Sequence, residues 1–322
     1  MSDLLLIKKK YKILEKIGEG KFGAVYKGKN IRSEELVAVK LEHKFNAVKI
    51  LRTETTILNY LYKNGCKFIP LVHWFGVFLE SPTLVMTYYE QSLESYVENN
   101  GNISLEQKDK IFQVILNIIE SIHEQFVIHR DIKPQNFMMK GTELFLIDFG
   151  MATMYVDSEK EHIPEKKDKI DLIGTPRFMS INIHNGWEPS RRDDIISACY
   201  IYMYMLFGSL PWDNRFERHE LKKWENLTSF VKDNPSMHSF LKYSYSNDGF
   251  KSKNLSLKLL LQTIPLNNLT PSTLVLCPIN LLSIENFFKS FFESSISEFI
   301  CSLVYGSQKI LLLHFFSKIS LL

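Results

Sequence analysis

Cysteine is scarce in this sequence. The four thiols, Cys66, Cys199, Cys277 and Cys301, lie far apart and match no metal-ligand spacing. That argues against a zinc module and fits a reducing compartment. Excess charge of one sign is also missing. The formal net charge is +3, too small to imply nucleic acid without a local basic cluster. A secretory leader is not expected, because the apolar run Leu4 to Ile7 is short and its lysines follow it. The longest uncharged stretch, Leu259 to Ile284, is interrupted by Pro265, Pro271 and Pro278, so no membrane-spanning helix is expected there. No internal repeat is evident. What remains is 45% hydrophobic and 23% charged, ordinary for a soluble globular chain, and a cytoplasmic or nuclear location is the expectation.

What is present is ordered in zones. After an extension over residues 1–10, residues 11–86 read mainly as strands. Tyr11 to Ile17 and Ala24 to Gly28 flank a glycine loop, and Leu36 to Leu41 is a β-branched run that includes Lys40. A helical period follows in Val48 to Tyr62, with Ile50, Ile57, Leu58 and Leu61 as its apolar positions. Residues 87–260 read as mostly helical. Leu105 to His123 carries apolar residues at three- and four-residue spacing, and Ile195 to Phe207 is nearly all apolar, as in a helix buried on every side. A strand-rich part before a helix-rich part gives an α+β chain with a cleft between two lobes, where ligands favour binding. Residues 261–322 have little charge and read as a divergent tail of unknown role.

The chemistry concentrates in Ile128-His129-Arg130-Asp131-Ile132-Lys133-Pro134-Gln135-Asn136 and Ile147-Asp148-Phe149-Gly150. Asp131 is the candidate base, able to accept or orient a hydroxyl proton. Lys133 can neutralise charge on a transferring phosphate. Asn136 and Asp148 supply oxygen ligands suited to magnesium. Upstream, Gly18-Glu19-Gly20-Lys21-Phe22-Gly23-Ala24-Val25 is a glycine flap whose backbone can approach phosphates because no β-carbon intervenes. Strands on both sides exclude the dinucleotide fingerprint, which opens a helix. Val37-Ala38-Val39-Lys40 places a lysine beneath that flap, with Glu54 as its expected partner and Glu42 as the alternative.

Together these strings resemble the protein kinases. The downstream half narrows the likeness. Gly174-Thr175-Pro176-Arg177-Phe178-Met179-Ser180-Ile181-Asn182 stands where most kinases end on Ala-Pro-Glu, and Ser190-Arg191-Arg192-Asp193-Asp194 and Gly208-Ser209-Leu210-Pro211-Trp212 follow. This combination closely resembles the casein kinase I family of serine/threonine kinases, from about Tyr11 to Trp224. The resemblance implies a bilobal kinase fold, with a small antiparallel-sheet lobe carrying one helix and a larger helical lobe. It implies ATP and Mg2+ as cofactors and serine or threonine as the acceptor, the last from Lys133-Pro134. Nucleotide contacts are implied from Ile17, Gly18, Glu19, Gly20, Lys21, Phe22, Gly23, Val25, Ala38, Lys40 and Glu54. Met86 falls at the gatekeeper position and Thr87, Tyr88 and Tyr89 at the hinge, bulkier than the family's usual residues.

By the same resemblance Thr175 joins Asp131 and Lys133 in the catalytic set, and Asp194 anchors the catalytic loop. Arg177 and Lys223 match an anion pocket for acidic or phosphate-primed protein substrates. No nucleic-acid partner is expected, and a monomer is. The alternative is a catalytically weak scaffold on the same fold, disfavoured because Lys40, Asp131 and Asp148 are all present.

Overall fold

The computed structural model describes residues 6–20, 23–43, 50–101, 103–164, 167, 174–213, 216–232 and 234–245. Lys21 and Phe22 of the flap, and the segment expected as a tail, lie outside the described residues.

Six short strands form one antiparallel sheet: β1 (Leu6–Ile7), β2 (Tyr11–Gly20), β3 (Gly23–Asn30), β4 (Leu36–Glu42), β5 (Val72–Phe78) and β6 (Ser81–Thr87), in the order β1-β2-β3-β4-β6-β5. Alternation along β4 sorts its residues by face. Val37 and Val39 join Ile7, Tyr11, Ile13 and Val85 on one side. Ala38 packs with Leu51, Leu84 and Met86 on the other. Lys40, two residues on, shares the Ala38 face, which α1 (Ile50–Lys63) covers. Helix α1 buries Leu51, Ile57, Leu58 and Leu61, and with them Glu54. One apolar stripe thus delivers a carboxylate to the lysine's side of the sheet.

Gly23 has a steric cause. A β-carbon there would sit 2.0 Å from the backbone oxygen of Leu41 on β4, so only glycine lets β3 close onto β4 where the flap begins.

The larger lobe is built on helices. After β7 (Gln91–Ser92) come α2 (Leu93–Asn99) and α3 (Leu105–His123). Helix α3 starts with a reciprocal Ser104–Gln107 capping box, a common start signal. Strands β8 (Val127–Ile128), β9 (Phe137–Lys140), β10 (Glu143–Leu146) and β11 (Thr153–Met154) then form two small sheets, β10-β9-β7 and β11-β8. The catalytic-loop residues lie between β8 and β9, and Asp148 between β10 and β11. Beyond them lie α4 (Ile181–His184), α5 (Arg191–Phe207), α6 (Trp224–Val231) and α7 (Pro235–Tyr245).

Helix α5 is buried from Arg191 to Met205. It packs on α3, where Phe112 and Tyr202 stack at 4.5 Å. Its N-terminal acids Asp193 and Asp194 sit where the helix dipole favours negative charge, and Gly208 ends it in the left-handed conformation (φ 74°). The bilobal expectation holds, with a sheet-rich first part and a helical second part. The helix read as beginning at Ile195 starts four residues earlier, at Arg191, because its polar first turn is buried with the rest.

Candidate active site

Two groups of side chains meet at the cleft. In the first, Lys40 Nζ donates to Glu54 Oε1 at 2.7 Å and to Asp148 Oδ1 at 2.8 Å. Glu42, the alternative partner, instead accepts from the backbone of Ile50 at 3.2 Å. Burial by itself would lower the Lys40 ammonium's affinity for its proton, but the Asp148 and Glu54 carboxylates outweigh it and raise the pKa. Lys40 in turn holds Asp148 down at about 2, so this carboxyl is anionic at neutral pH. Burial pushes Glu54 the other way. A cavity of about 170 Å³ opens beside the trio, lined by Gly20, Gly23, Val25, Lys40, Glu54 and Asp148.

In the second group, Asp131 is held from three sides. Thr175 Oγ1 donates to its Oδ1 at 2.7 Å, Lys133 Nζ to its Oδ2 at 2.7 Å and Asn136 Nδ2 to its Oδ2 at 3.2 Å. Lys133 also donates to Thr175 at 2.9 Å. Asn136 Nδ2 donates at 2.8 Å to the backbone oxygen of Asp131 as well, which fixes its amide. The groups are joined by backbone, since Ile147 N donates to Asn136 O at 2.8 Å immediately before Asp148.

Buried polar groups support this arrangement. Asp194 accepts from His129 N at 2.8 Å, from Arg130 N at 2.9 Å and lies 2.9 Å from His123 Nε2. Burial would raise its pKa, but the hydrogen bond and charge at His123 outweigh that and lower it. Arg130 and Asp148 adopt positive φ, 68° and 66°, conformations costly for such residues and common where surrounding structure fixes a site. Gly174 has φ +105° and would drive a β-carbon to 2.6 Å from Arg130 O. Its lack of a side chain lets the loop bring Thr175 to Asp131.

These residues fit a divalent ion. Asp148 offers an anionic oxygen, and Asn136 has an amide oxygen left over from its donor contacts, the hard donors that magnesium prefers.

A protein kinase domain family matches residues 11–274. The chain is also 37% identical over 226 residues to Casein kinase I homolog 2 of Schizosaccharomyces pombe, covering 68% of this chain and 51% of that protein. The chain belongs to the protein kinase family, on its casein kinase I branch. It spans about half the length of the relative it matches.

Among the residues expected to contact the nucleotide, Ala38 and Met86 are register partners across β4 and β6, and both are buried. Thr87 Oγ1 accepts from Leu71 N at 3.1 Å. Tyr89 is buried and stacks on Phe145 at 4.8 Å, whereas the ring of Tyr88 lies 5.3 Å from Lys27 Nζ. The bulk of Tyr89 is therefore absorbed by the large lobe. On β2, Ile17 is exposed and Glu19 pairs with Lys16. Gly18 and Val25 are register partners.

The expected anion pocket needs correction. Arg177 and Lys223 do not converge. Lys223 is exposed and pairs with Glu220, because it lies one residue beyond the 3-10 turn Phe216–Lys222. The lysine that lines the cavity with Arg177 is Lys222. Arg177 itself makes a two-pronged pair with Asp213, at 2.7 Å on both bonds.

Three further residues were not singled out from the sequence. Lys222 is buried and donates to Pro176 O and Met179 O at 2.7 Å each. Asp193 accepts from Ser180 Oγ at 2.6 Å and Asn182 Nδ2 at 3.2 Å, so the segment replacing Ala-Pro-Glu is tied to α5 by a hydroxyl and an amide. Asp213 holds Arg177. The Ser190-x-x-Asp193 capping spacing was the one available signal for Asp193. Nothing in the string marks Lys222 or Asp213.

Proposed function

We propose that this chain is a serine/threonine protein kinase that transfers the γ-phosphate of ATP to protein hydroxyls flanked by acidic or phosphorylated residues. The observation that carries the reading is the double arrangement in the cleft, with Lys40 bridging Glu54 and Asp148 while Asp131 is gripped by Thr175, Lys133 and Asn136.

Each side chain has a job. Lys40, fixed by Glu54, offers its ammonium to the phosphates of the nucleotide. Asp148 and Asn136 would hold Mg2+, which neutralises phosphate charge when bound. Asp131 orients the acceptor hydroxyl and takes its proton. Lys133, already against Asp131 and Thr175, offers positive charge to the group in transit. Phosphoryl transfer has a loose transition state, so positioning and charge neutralisation supply most of the rate. Lys133-Pro134 supports serine or threonine as acceptor. Arg177, on the same loop as Thr175, is the cation that supports an anionic substrate. The reading includes a monomer acting in the cytoplasm or nucleus; among the described residues no helix is long and apolar enough to cross a membrane.

The test is transfer of labelled phosphate from ATP to an acidic protein, followed by identification of the labelled amino acid. Labelled serine or threonine is expected. Labelled tyrosine, or no label above background, would overturn the reading.

A further inference from the structure

Three consecutive residues at the end of β4 each fix a different part of the cleft. Lys40 bridges Glu54 and Asp148. Leu41 O bounds the flap, 2.0 Å from where a β-carbon of Gly23 would stand. Glu42 reaches the near end of α1, where its Oε1 accepts from Ile50 N at 3.2 Å.

Alternation puts Lys40 and Glu42 on one face of the sheet. Ile50 and Glu54 lie four residues apart, about one turn along the same side of α1. The strand therefore meets the helix at two successive points, Glu42 with Ile50 and Lys40 with Glu54. Further along, Ile57, Leu58 and Leu61 belong to the large apolar core that also holds Phe112 and Phe149. Toward its start, Leu51 packs with Ala38, Leu84 and Met86 of the sheet. The end of α1 that carries Glu54 is held to the sheet through Leu51 and those two polar contacts.

Ile50 also bears on the other partner of Lys40. A β-carbon at Gly150 would stand 2.8 Å from Ile50 Cγ2, so the turn after Asp148 packs against the residue that Glu42 holds. A shift of Ile50 would carry Glu54 with the helix and loosen the turn that presents Asp148.

Glu42 is 4% exposed and, with Ile50, lines the cavity of about 170 Å³ beside Lys40. A buried carboxylate is costly unless its charge is met, and there it would repel entering phosphates. The amide of Ile50, near the positive end of a helix, meets it. The charge is thereby turned to the helix and away from the nucleotide.

We propose that Glu42 is a positioning residue for phosphate transfer, which holds the start of α1 so that Glu54 and Asp148 both stay on Lys40. The proposal rests on the reading of the chain as a kinase in which Lys40 serves the nucleotide.

The experiment measures kcat and the KM values for ATP and for an acidic protein acceptor. It uses the full chain, Glu42→Gln, Glu42→Ala, Glu54→Gln and the variant carrying both Glu42→Ala and Glu54→Gln. Glu42→Gln keeps an oxygen that can accept from Ile50 N, and should stay within about threefold of the wild-type kcat/KM for ATP. Glu42→Ala should lower that ratio at least about tenfold, the scale of a lost hydrogen bond to a charged group. The KM for the acceptor should stay within about twofold, because the acceptor side is held by other residues. In the Glu54→Gln background, where the helix is already uncoupled from Lys40, Glu42→Ala should cost less than about threefold more. Wild-type rates in Glu42→Ala would overturn the proposal. So would losses that multiply in the double variant, because Glu42 would then act apart from Glu54. A Glu42→Gln enzyme as slow as Glu42→Ala would overturn it too. Should Glu42→Ala fail to fold, Glu42→Asp replaces it, with the same charge on a shorter arm and the same loss expected. Absence of transfer by the wild type would overturn the kinase reading, and the proposal with it.

Discussion

The charged residues of the cleft are stable only as sets. Glu54 is 1% exposed, and Lys40 is the cation that pairs with it. Removing one member of a buried pair leaves the other uncompensated. Lys40→Met should therefore cost about 3 kcal/mol or more of stability, seen in urea unfolding, and should also abolish phosphate transfer; unchanged stability would show that Glu54 is satisfied without the lysine. Lys222 gives a prediction of a different kind. Burial pushes its pKa down to about 7, from the ordinary 10.5. Between those values the unfolded chain holds a proton that the folded chain has lost, so this residue's penalty on folding eases as pH rises. The stability of the wild type relative to Lys222→Met should grow from about pH 6 to about pH 9, by on the order of 2 kcal/mol. A pH-independent difference between the two proteins would contradict this. His184 is held down at about 4, first by burial and then by the charge of Lys222, so it stays neutral across that window and leaves the trend intact.

Elements place these residues, and glycine positions show how. Gly20 and Gly23 are register partners at the flap, yet they differ. A β-carbon at Gly20 meets nothing within 4 Å, whereas at Gly23 it meets Leu41 O at 2.0 Å. Gly20→Ala should leave stability within about 1 kcal/mol of wild type, while Gly23→Ala should cost at least about 2 kcal/mol and raise the KM for ATP. Similar melting temperatures for the two variants would refute the close approach of β3 to β4. Helix α5 acts at longer range, through Asp194. Asp194→Ala strands His129 N and Arg130 N, so it should lower stability by about 2–4 kcal/mol and cut kcat more than ATP affinity. Several of these elements were legible in the sequence. The apolar spacing of Leu105 to His123 coincides with α3, and β4 and α1 were readable from their periods. The start of α5 was not, because the apolar run that marks the helix begins only at Ile195, while the fold also buries the polar turn Arg191 to Asp194. The resemblance also could not separate Lys222 from Lys223. A 3-10 turn decides which of two adjacent lysines faces inward, and composition carries no trace of it.

At the scale of the molecule, the sheet lobe contributes Lys40, Glu54 and the flap, and the helical lobe contributes Asp131, Lys133, Asn136, Asp148 and Thr175. Lys40 joins Glu54 and Asp148 in one hydrogen-bonded set, and Asp131 joins Thr175, Lys133 and Asn136 in another. That part was legible because each motif sits at the end of a strand or in a short turn, where spacing leaves little freedom. The substrate side was less legible. Arg177 was readable as a cation, but its neutralisation by Asp213 depends on packing between segments 36 residues apart in sequence. In the proposed reaction Asp131 acts on the acceptor hydroxyl while Lys40 and Asp148 serve the nucleotide. The most direct measurement is the single-turnover rate of phosphate transfer in wild type and Asp131→Asn, alongside the affinity of each for a fluorescent ATP analogue with Mg2+. A rate lower by about a hundredfold or more, at unchanged nucleotide affinity, is the predicted result; equal transfer rates in the two proteins would contradict it.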